Sequence, residues 1–128
     1  MAAHLLGVGA EALGMPGHPA LGPLLETFVA GELRRQATWA ETSVDVHHFR
    51  DHGGMEVDLV LEAQDGRVAG VEVKASSSVE GRDFRGLDFL HDRLEDRFAH
   101  GVLLYLGDAV LPFGDRRTAL PLSALWAA

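Results

Sequence analysis

The chain has 128 residues, a formal net charge of −8 and no cysteine. The acidity counts against a broad electrostatic grip on nucleic acid, because neutralisation of phosphates usually dominates such binding, although a site for divalent metal would itself be acidic. The lack of cysteine excludes disulfides, thiol nucleophiles and cysteine-ligated zinc. With neither an apolar run of membrane-spanning length nor a basic N-terminal leader, the sequence predicts a cytoplasmic protein without a membrane segment.

The first part of the chain, residues 1–19, is predicted to be a loose strap, the remnant of an upstream region. Glycine and proline interrupt each of its short apolar runs. Residues 20–128 are predicted to form one domain, because that length is typical of a single hydrophobic core.

A first helix is predicted from about Gly22 to Gln36, with Pro23 in a first turn that tolerates proline. Glu26 lies at the edge of its apolar arc, where it would ordinarily be a solvated helix residue. Glu32 falls inside the arc, so we expect it to have a buried partner or a route to solvent. The arc itself consists of Leu21, Leu25, Phe28, Val29 and Leu33.

Three strands are predicted next, over residues 42–50, 55–62 and 67–75. The second and third strands are joined by Asp65-Gly66, a strong signal for a β-hairpin turn. The pattern therefore predicts an antiparallel meander in the middle of the chain.

The hairpin strands carry charged residues whose faces follow from the alternation of side chains. Asp58 is predicted to lie opposite the apolar face of its strand, and Glu72 and Lys74 to share one face of the next strand. Strict alternation gives the second strand an apolar face made of Met55, Val57, Leu59 and Leu61.

A second helix is predicted over about residues 82–98, with an apolar face made of Phe84, Leu87, Leu90, His91, Leu94 and Phe98. The apolar run 101–106 suits a strand covered on both faces. Short edge strands are expected at 110–113 and 118–122, and Leu125 and Trp126 are expected to cap the core. This order predicts an α/β fold, a mixed sheet flanked by helices with a small C-terminal β tail.

The charges in the hairpin suggest chemistry. Asp58 and Glu72 lie on neighbouring strands, and the first helix could bring Glu26 toward them. Close carboxylates cannot all stay ionised without a cation, and Mg²⁺ prefers such oxygen ligands. Lys74 could orient or deprotonate a water molecule and balance phosphate charge. Together these groups suit metal-assisted phosphodiester hydrolysis; the alternative is a structural cluster of salt bridges.

Three segments carry a resemblance to a known family: 21–29 (LGPLLETFV), 56–60 (EVDLV) and 71–75 (VEVKA). They resemble the PD-(D/E)XK nuclease-like superfamily, whose core order of helix, three strands, helix and strand agrees with the elements above. The wording of the three segments is similar to one branch, the C-terminal domain of unknown function of prokaryotic AAA-type ATPases. The resemblance covers nearly the whole chain and implies a restriction-endonuclease-like core.

The resemblance also implies an active site. Asp58 and Glu72 would bind Mg²⁺ or Mn²⁺ with Glu26 as an auxiliary ligand, Lys74 would act on the water, and the substrate would be DNA or RNA. Val57 stands where the superfamily usually has proline. No G-x-x-x-x-G-K-[ST] loop is present, so we expect a truncated homologue or a standalone remnant, with an ATPase as a partner in trans.

Other residues and partners remain open alternatives. Ser76, Arg82 and Arg85 follow the site strand and are candidates for contacting substrate phosphate, although the serine could simply belong to a loop. His47, His48 and His52 could bind a transition metal, but solvated histidines are the simpler interpretation. A catalytically idle interaction module is the alternative to a nuclease, and an edge made of Val110, Leu111 and Phe113 could support a homodimer.

Overall fold

The computed structural model describes residues 21–40 and 43–126. The predicted strap at 1–19, residue 42 of the first predicted strand and the side chain of Trp126 lie outside the described part. Neither α-helix within it has the length and apolarity that crossing a bilayer requires.

The described residues form two α-helices and six strands, in the order that the sequence predicts. The elements are α1 (Leu21–Ala37), β1 (Val44–Arg50), β2 (Glu56–Ala63), β3 (Val68–Val73), α2 (Arg85–Leu94), β4 (Phe98–Tyr105), β5 (Leu111–Pro112) and β6 (Arg117–Pro121). Short 3₁₀ turns cover Gly81–Phe84, Glu95–Arg97 and Leu122–Trp126. The predicted α/β class is confirmed.

The strands form one mixed sheet in the order β1-β2-β3-β4-β6-β5. The meander β1-β2-β3 is antiparallel, β4 runs parallel to both β3 and β6, and β5 pairs antiparallel with β6. The expectation that 118–122 is an edge strand was wrong, since β6 lies between β4 and β5. Pro121 is tolerated there because it is the last residue of its strand.

The helices cover opposite faces of the sheet, as the patterning predicts. Val29 of α1 packs with Leu59, Val71 and Leu104 on one face. Phe84, Leu87 and Leu90 pack with Phe98 and Leu103 on the other. Burying each such side chain stabilises the fold by roughly 1.5–3 kcal/mol, so both helices are held by the sheet rather than by helix propensity.

The alternation expected in β2 was partly wrong. His47 of β1 pairs with Val60, whereas Phe49 pairs with Val57. His48 of β1 therefore lies opposite two residues of β2, Asp58 and Leu59. This arrangement is a β-bulge. Because of the bulge, Val57 packs on the face of the sheet that α2 covers, while Leu59 packs on the face that α1 covers. The two side chains therefore do not share a face.

The second helix is shorter than its apolar pattern predicts. It ends at Leu94, and Glu95 has a positive φ of 51° that leads into the 3₁₀ turn. Phe98 matches the helix period but is the first residue of β4, and its ring stacks on His91 with centroids 4.8 Å apart. The helical pattern therefore predicted correctly that Phe98 packs against α2, but it assigned Phe98 to the helix rather than to β4.

Two residues of the first predicted apolar arc behave differently from its core. Phe28 is 46% exposed, whereas Leu21, Leu25 and Val29 are buried. The Glu32 side chain is only 11% exposed, and its carboxylate accepts hydrogen bonds from Arg35 and Gln36.

Candidate active site

The site begins where β2 and β3 stop pairing. The last pair of their ladder is Leu59 with Val71. Beyond it, the N–H of Val73 donates to Asp58 Oδ2 at 2.8 Å instead of to a backbone carbonyl of β2. The bulge in β2 and this bond together fix the orientation of the Asp58 carboxylate at the fork between the two strands.

Glu72 lies one residue before Val73 and reaches Asp58. Burial, the negative charge of Asp58 and a hydrogen bond with its side chain raise the pKa of Glu72 from 4.5 to about 9. Glu72 therefore carries a proton at neutral pH, which it shares with Asp58.

The first turn of α2 closes over Glu72. A Cβ at Gly86 would lie only 2.7 Å from Glu72 Oε1 and would also overlap the carbonyl oxygen of Glu56. Glycine is therefore the residue that lets the helix approach the carboxyl so closely. Its position explains part of the burial of Glu72, since the helix start excludes water from that side.

Glu26 of α1 is the third carboxyl of the site. Burial and the charge of Asp58 raise its pKa, His48 lowers it, and Glu56 raises it further. Its charge also contributes to the raised pKa of Glu72. Three carboxyls from α1, β2 and β3 thus interact electrostatically.

The carboxyl groups of Glu26, Asp58 and Glu72 are the candidate ligands for a divalent cation. Oxygen-only ligands and the mutual repulsion of three carboxyls fit Mg²⁺ or Mn²⁺ in chemistry and charge. Within 21–40 and 43–126, however, no group of three or more histidine, aspartate or glutamate side chains is arranged around one ion position. Protonation of Glu72, whose pKa is raised to about 9, relieves part of the repulsion between these carboxyls.

Lys74 is held by a residue that sequence reasoning missed. Its ammonium nitrogen lies 2.6 Å from Asp83 Oδ2, and the same oxygen accepts the N–H of Glu80 at 2.7 Å. Burial would raise the pKa of Asp83, but these bonds and the charge of Lys74 lower it overall. The sequence does contain a signal for the position of Asp83, because Glu80 and Asp83 have the spacing of a capping box at the start of a helical turn.

Glu26 and Asp58 line a cleft of about 560 Å³. One wall is α1, with Pro23, Glu26, Thr27, Ala30, Gly31 and Arg34. The other wall is the bulged region of the meander, with His48, Asp58 and Leu59. His48 Nδ1 lies 3.3 Å from the Asp58 carbonyl oxygen, so this histidine borders the site through backbone contact.

The three residues predicted to contact phosphate lie outside this cleft. Arg82 forms an ion pair with Glu80, with Nε 2.7 Å from Oε2. Arg85 is exposed at the first residue of α2. Ser76 Oγ accepts the N–H of Ser78 at 3.1 Å, which supports the loop interpretation.

The three histidines do not come together as one site. His47 Nε2 lies 3.6 Å from Glu62 Oε1, His48 lines the cleft, and His52 is exposed in the turn after β1. No histidine cluster that could hold a metal ion occurs in the described ranges.

Comparison with known proteins gives one match. A family described as Domain of unknown function (DUF4143) matches residues 21–125, a range that takes in both α-helices and all six strands. No curated protein and no solved structure matches the chain.

Proposed function

The chain belongs to the DUF4143 family of domains of unknown function, and we propose that it is a metal-dependent nuclease of the PD-(D/E)XK type. The observation that carries this proposal is the placement of Asp58 beside Glu72 at the fork between β2 and β3, with Glu26 lining the same cleft as Asp58. The order of the elements and the position of Lys74, two residues after Glu72, support the same function.

Each carboxyl has a separate part in this proposal. A bound Mg²⁺ or Mn²⁺ would supply Lewis-acid activation of the phosphate and of a water molecule. Asp58 is held ready by the Val73 N–H. Glu72 can act as a ligand only after it has lost its proton, so metal affinity rises with pH. Glu26 lines the same cleft as Asp58 and would be an auxiliary ligand.

Lys74 supplies the positive charge of the site. Its ammonium group is fixed by Asp83, and its side chain is 31% exposed. From this position it donates hydrogen bonds to the attacking water or to a phosphate oxygen, which stabilises the charge that develops in the reaction.

A cleavage assay tests the proposal. A labelled DNA strand is incubated with the protein and Mn²⁺ or Mg²⁺, and Asp58→Asn and Lys74→Ala are compared with Asp92→Asn, an exposed acid on α2. Each site variant is expected to lose at least about 100-fold in rate, in line with the loss of an electrostatic catalytic group, while the control keeps the wild-type rate. Cleavage that survives unchanged in both site variants would contradict the proposal.

A second candidate is a catalytically idle interaction module. Two features favour it: the raised pKa of Glu72, which opposes metal binding, and the ion pair between Lys74 and Asp83. Such a module would show neither cleavage nor stabilisation by divalent metal. Thermal unfolding with and without Mn²⁺ separates the two, because a ligand that binds only the folded state raises stability by mass action.

A further inference from the structure

The cleft contains a cation that no described residue neutralises. Six basic side chains form ion pairs with aspartate or glutamate: Arg35, Arg50, Lys74, Arg82, Arg97 and Arg117. Arg34 lines the cleft, is exposed, and has no side-chain hydrogen bond or ion pair with the described part of the chain. An unpaired guanidinium beside an acidic site is suited to a phosphate.

Arg34 and Glu26 lie along one wall of the cleft. They are eight residues apart on α1, which is about 12 Å along the helix axis. The acidic end of the cleft is thus separated from its basic end. With a rise of ~3.4 Å per nucleotide along a strand, this distance corresponds to about four nucleotides or fewer.

Gly31 lies between the two ends and keeps the cleft open. It is inside α1, where glycine costs about 1 kcal/mol relative to alanine. No atom lies within 4 Å of the position a Cβ would take, so packing does not require glycine. The space at Gly31 belongs to the cleft that contains Arg34.

We propose that this cleft binds the backbone of single-stranded nucleic acid, with Arg34 contacting a phosphate within a few nucleotides of the carboxyls. The proposal rests on the proposed nuclease function and names its substrate class. A single strand fits better than a duplex, because the chain has a net charge of −8 and Arg34 is the one arginine or lysine among the described residues that line the cleft. Duplex binding relies on the neutralisation of many phosphates.

Fluorescence anisotropy with a short labelled DNA strand tests the role of Arg34, with Ca²⁺ present so that carboxyl repulsion does not oppose binding. Arg34→Ala is expected to weaken binding about ten-fold, as loss of a charge-assisted hydrogen bond does. It should also reduce the slope of log affinity against log salt by about 0.7. Arg67→Ala, an exposed arginine outside the cleft, is the matched control and should change neither value.

Substitutions at Gly31 test whether the strand occupies the cleft. Gly31→Leu places a large side chain in the open space and should abolish binding, whereas Gly31→Ala should retain it. Both residues favour a helix more than glycine does, so circular dichroism should show that both variants fold. Equal binding by the two variants would refute occupation of the cleft.

The remaining outcomes separate the inference from the proposed function. A duplex that binds as tightly as its single strand, or Arg85→Ala weakening binding while Arg34→Ala does not, overturns the inference. If the wild type cleaves the strand but Arg34→Ala does not weaken binding, the inference is overturned and the nuclease function stands. Arg34-dependent binding without cleavage supports the binding cleft and contradicts the nuclease. An RNA strand of the same sequence identifies which nucleic acid is preferred.

Discussion

The proton on Glu72 has a measurable effect on stability, and Glu72→Gln isolates it. Glutamine has the shape of the neutral carboxyl and can still donate to Asp58. In the wild type, the folded chain holds a proton between pH 4.5 and about 9 that the unfolded chain has released. Since the unfolded state binds fewer protons in this window, stability falls as pH rises through it.

The size of the effect follows from the same pKa values. The slope is at most about 1.4 kcal/mol per pH unit, which gives a ceiling of about 4 kcal/mol near pH 7.5. Glu72 is only partly buried, and water screens its charge, so we expect Glu72→Gln to stabilise the fold by about 1–2 kcal/mol at about pH 8. At about pH 4.5 the gain should fall below about 0.5 kcal/mol, because the wild-type carboxyl is then protonated in the folded state and half protonated in the unfolded one.

Urea unfolding in EDTA at the two pH values measures the difference. Asp92→Asn, which removes an exposed acid from α2, is the control and should show no pH-dependent gain. A Gln variant that is less stable than the wild type at about pH 8, or equally stabilised at both pH values, would refute the account of Glu72.

Three further results are expected. Mn²⁺ at ten times its dissociation constant should stabilise the wild type by about 1.4 kcal/mol in thermal unfolding, and by more at alkaline pH. It should not stabilise Asp58→Asn, and equal stabilisation of both proteins would place the metal elsewhere. Gly86→Ala should destabilise the fold by about 1–3 kcal/mol in urea, because its Cβ overlaps the Glu56 carbonyl and crowds Glu72; a neutral result would show that α2 can move away. Asp83→Asn keeps an acceptor for the Glu80 N–H but removes the charge beside Lys74. The cleavage rate should therefore fall about ten-fold, while the free energy of unfolding changes by about 1 kcal/mol or less. An unchanged rate would show that Lys74 needs no positioning by Asp83.

The order of the elements could be predicted because it depends on local periodicity. The apolar arc of α1 and the Asp65-Gly66 turn are properties of adjacent residues, and α1 ends within one residue of its predicted limit. Asp58 and Glu72 could be predicted to be neighbours because adjacent strands of the meander carry them.

The remaining features depend on contacts between distant residues. The bulge at Asp58 arises from pairing with β1, which no pattern within β2 reveals. Phe98 faces α2 from a strand rather than from the helix, so periodicity alone could not assign it. Arg34 belongs to the cleft only because of the way α1 lies across β1 and β2, and sequence order had favoured Arg82 and Arg85 instead.

The most direct test of the central claim is a crystal of the protein soaked in Mn²⁺ and measured for anomalous scattering. The account predicts an ion bound by Asp58 and Glu72 with metal–oxygen distances of about 2.0–2.3 Å, and Glu26 turned toward it. A crystal at alkaline pH with saturating Mn²⁺ in which Asp58 and Glu72 still share a hydrogen bond, with no anomalous peak between them, would contradict it.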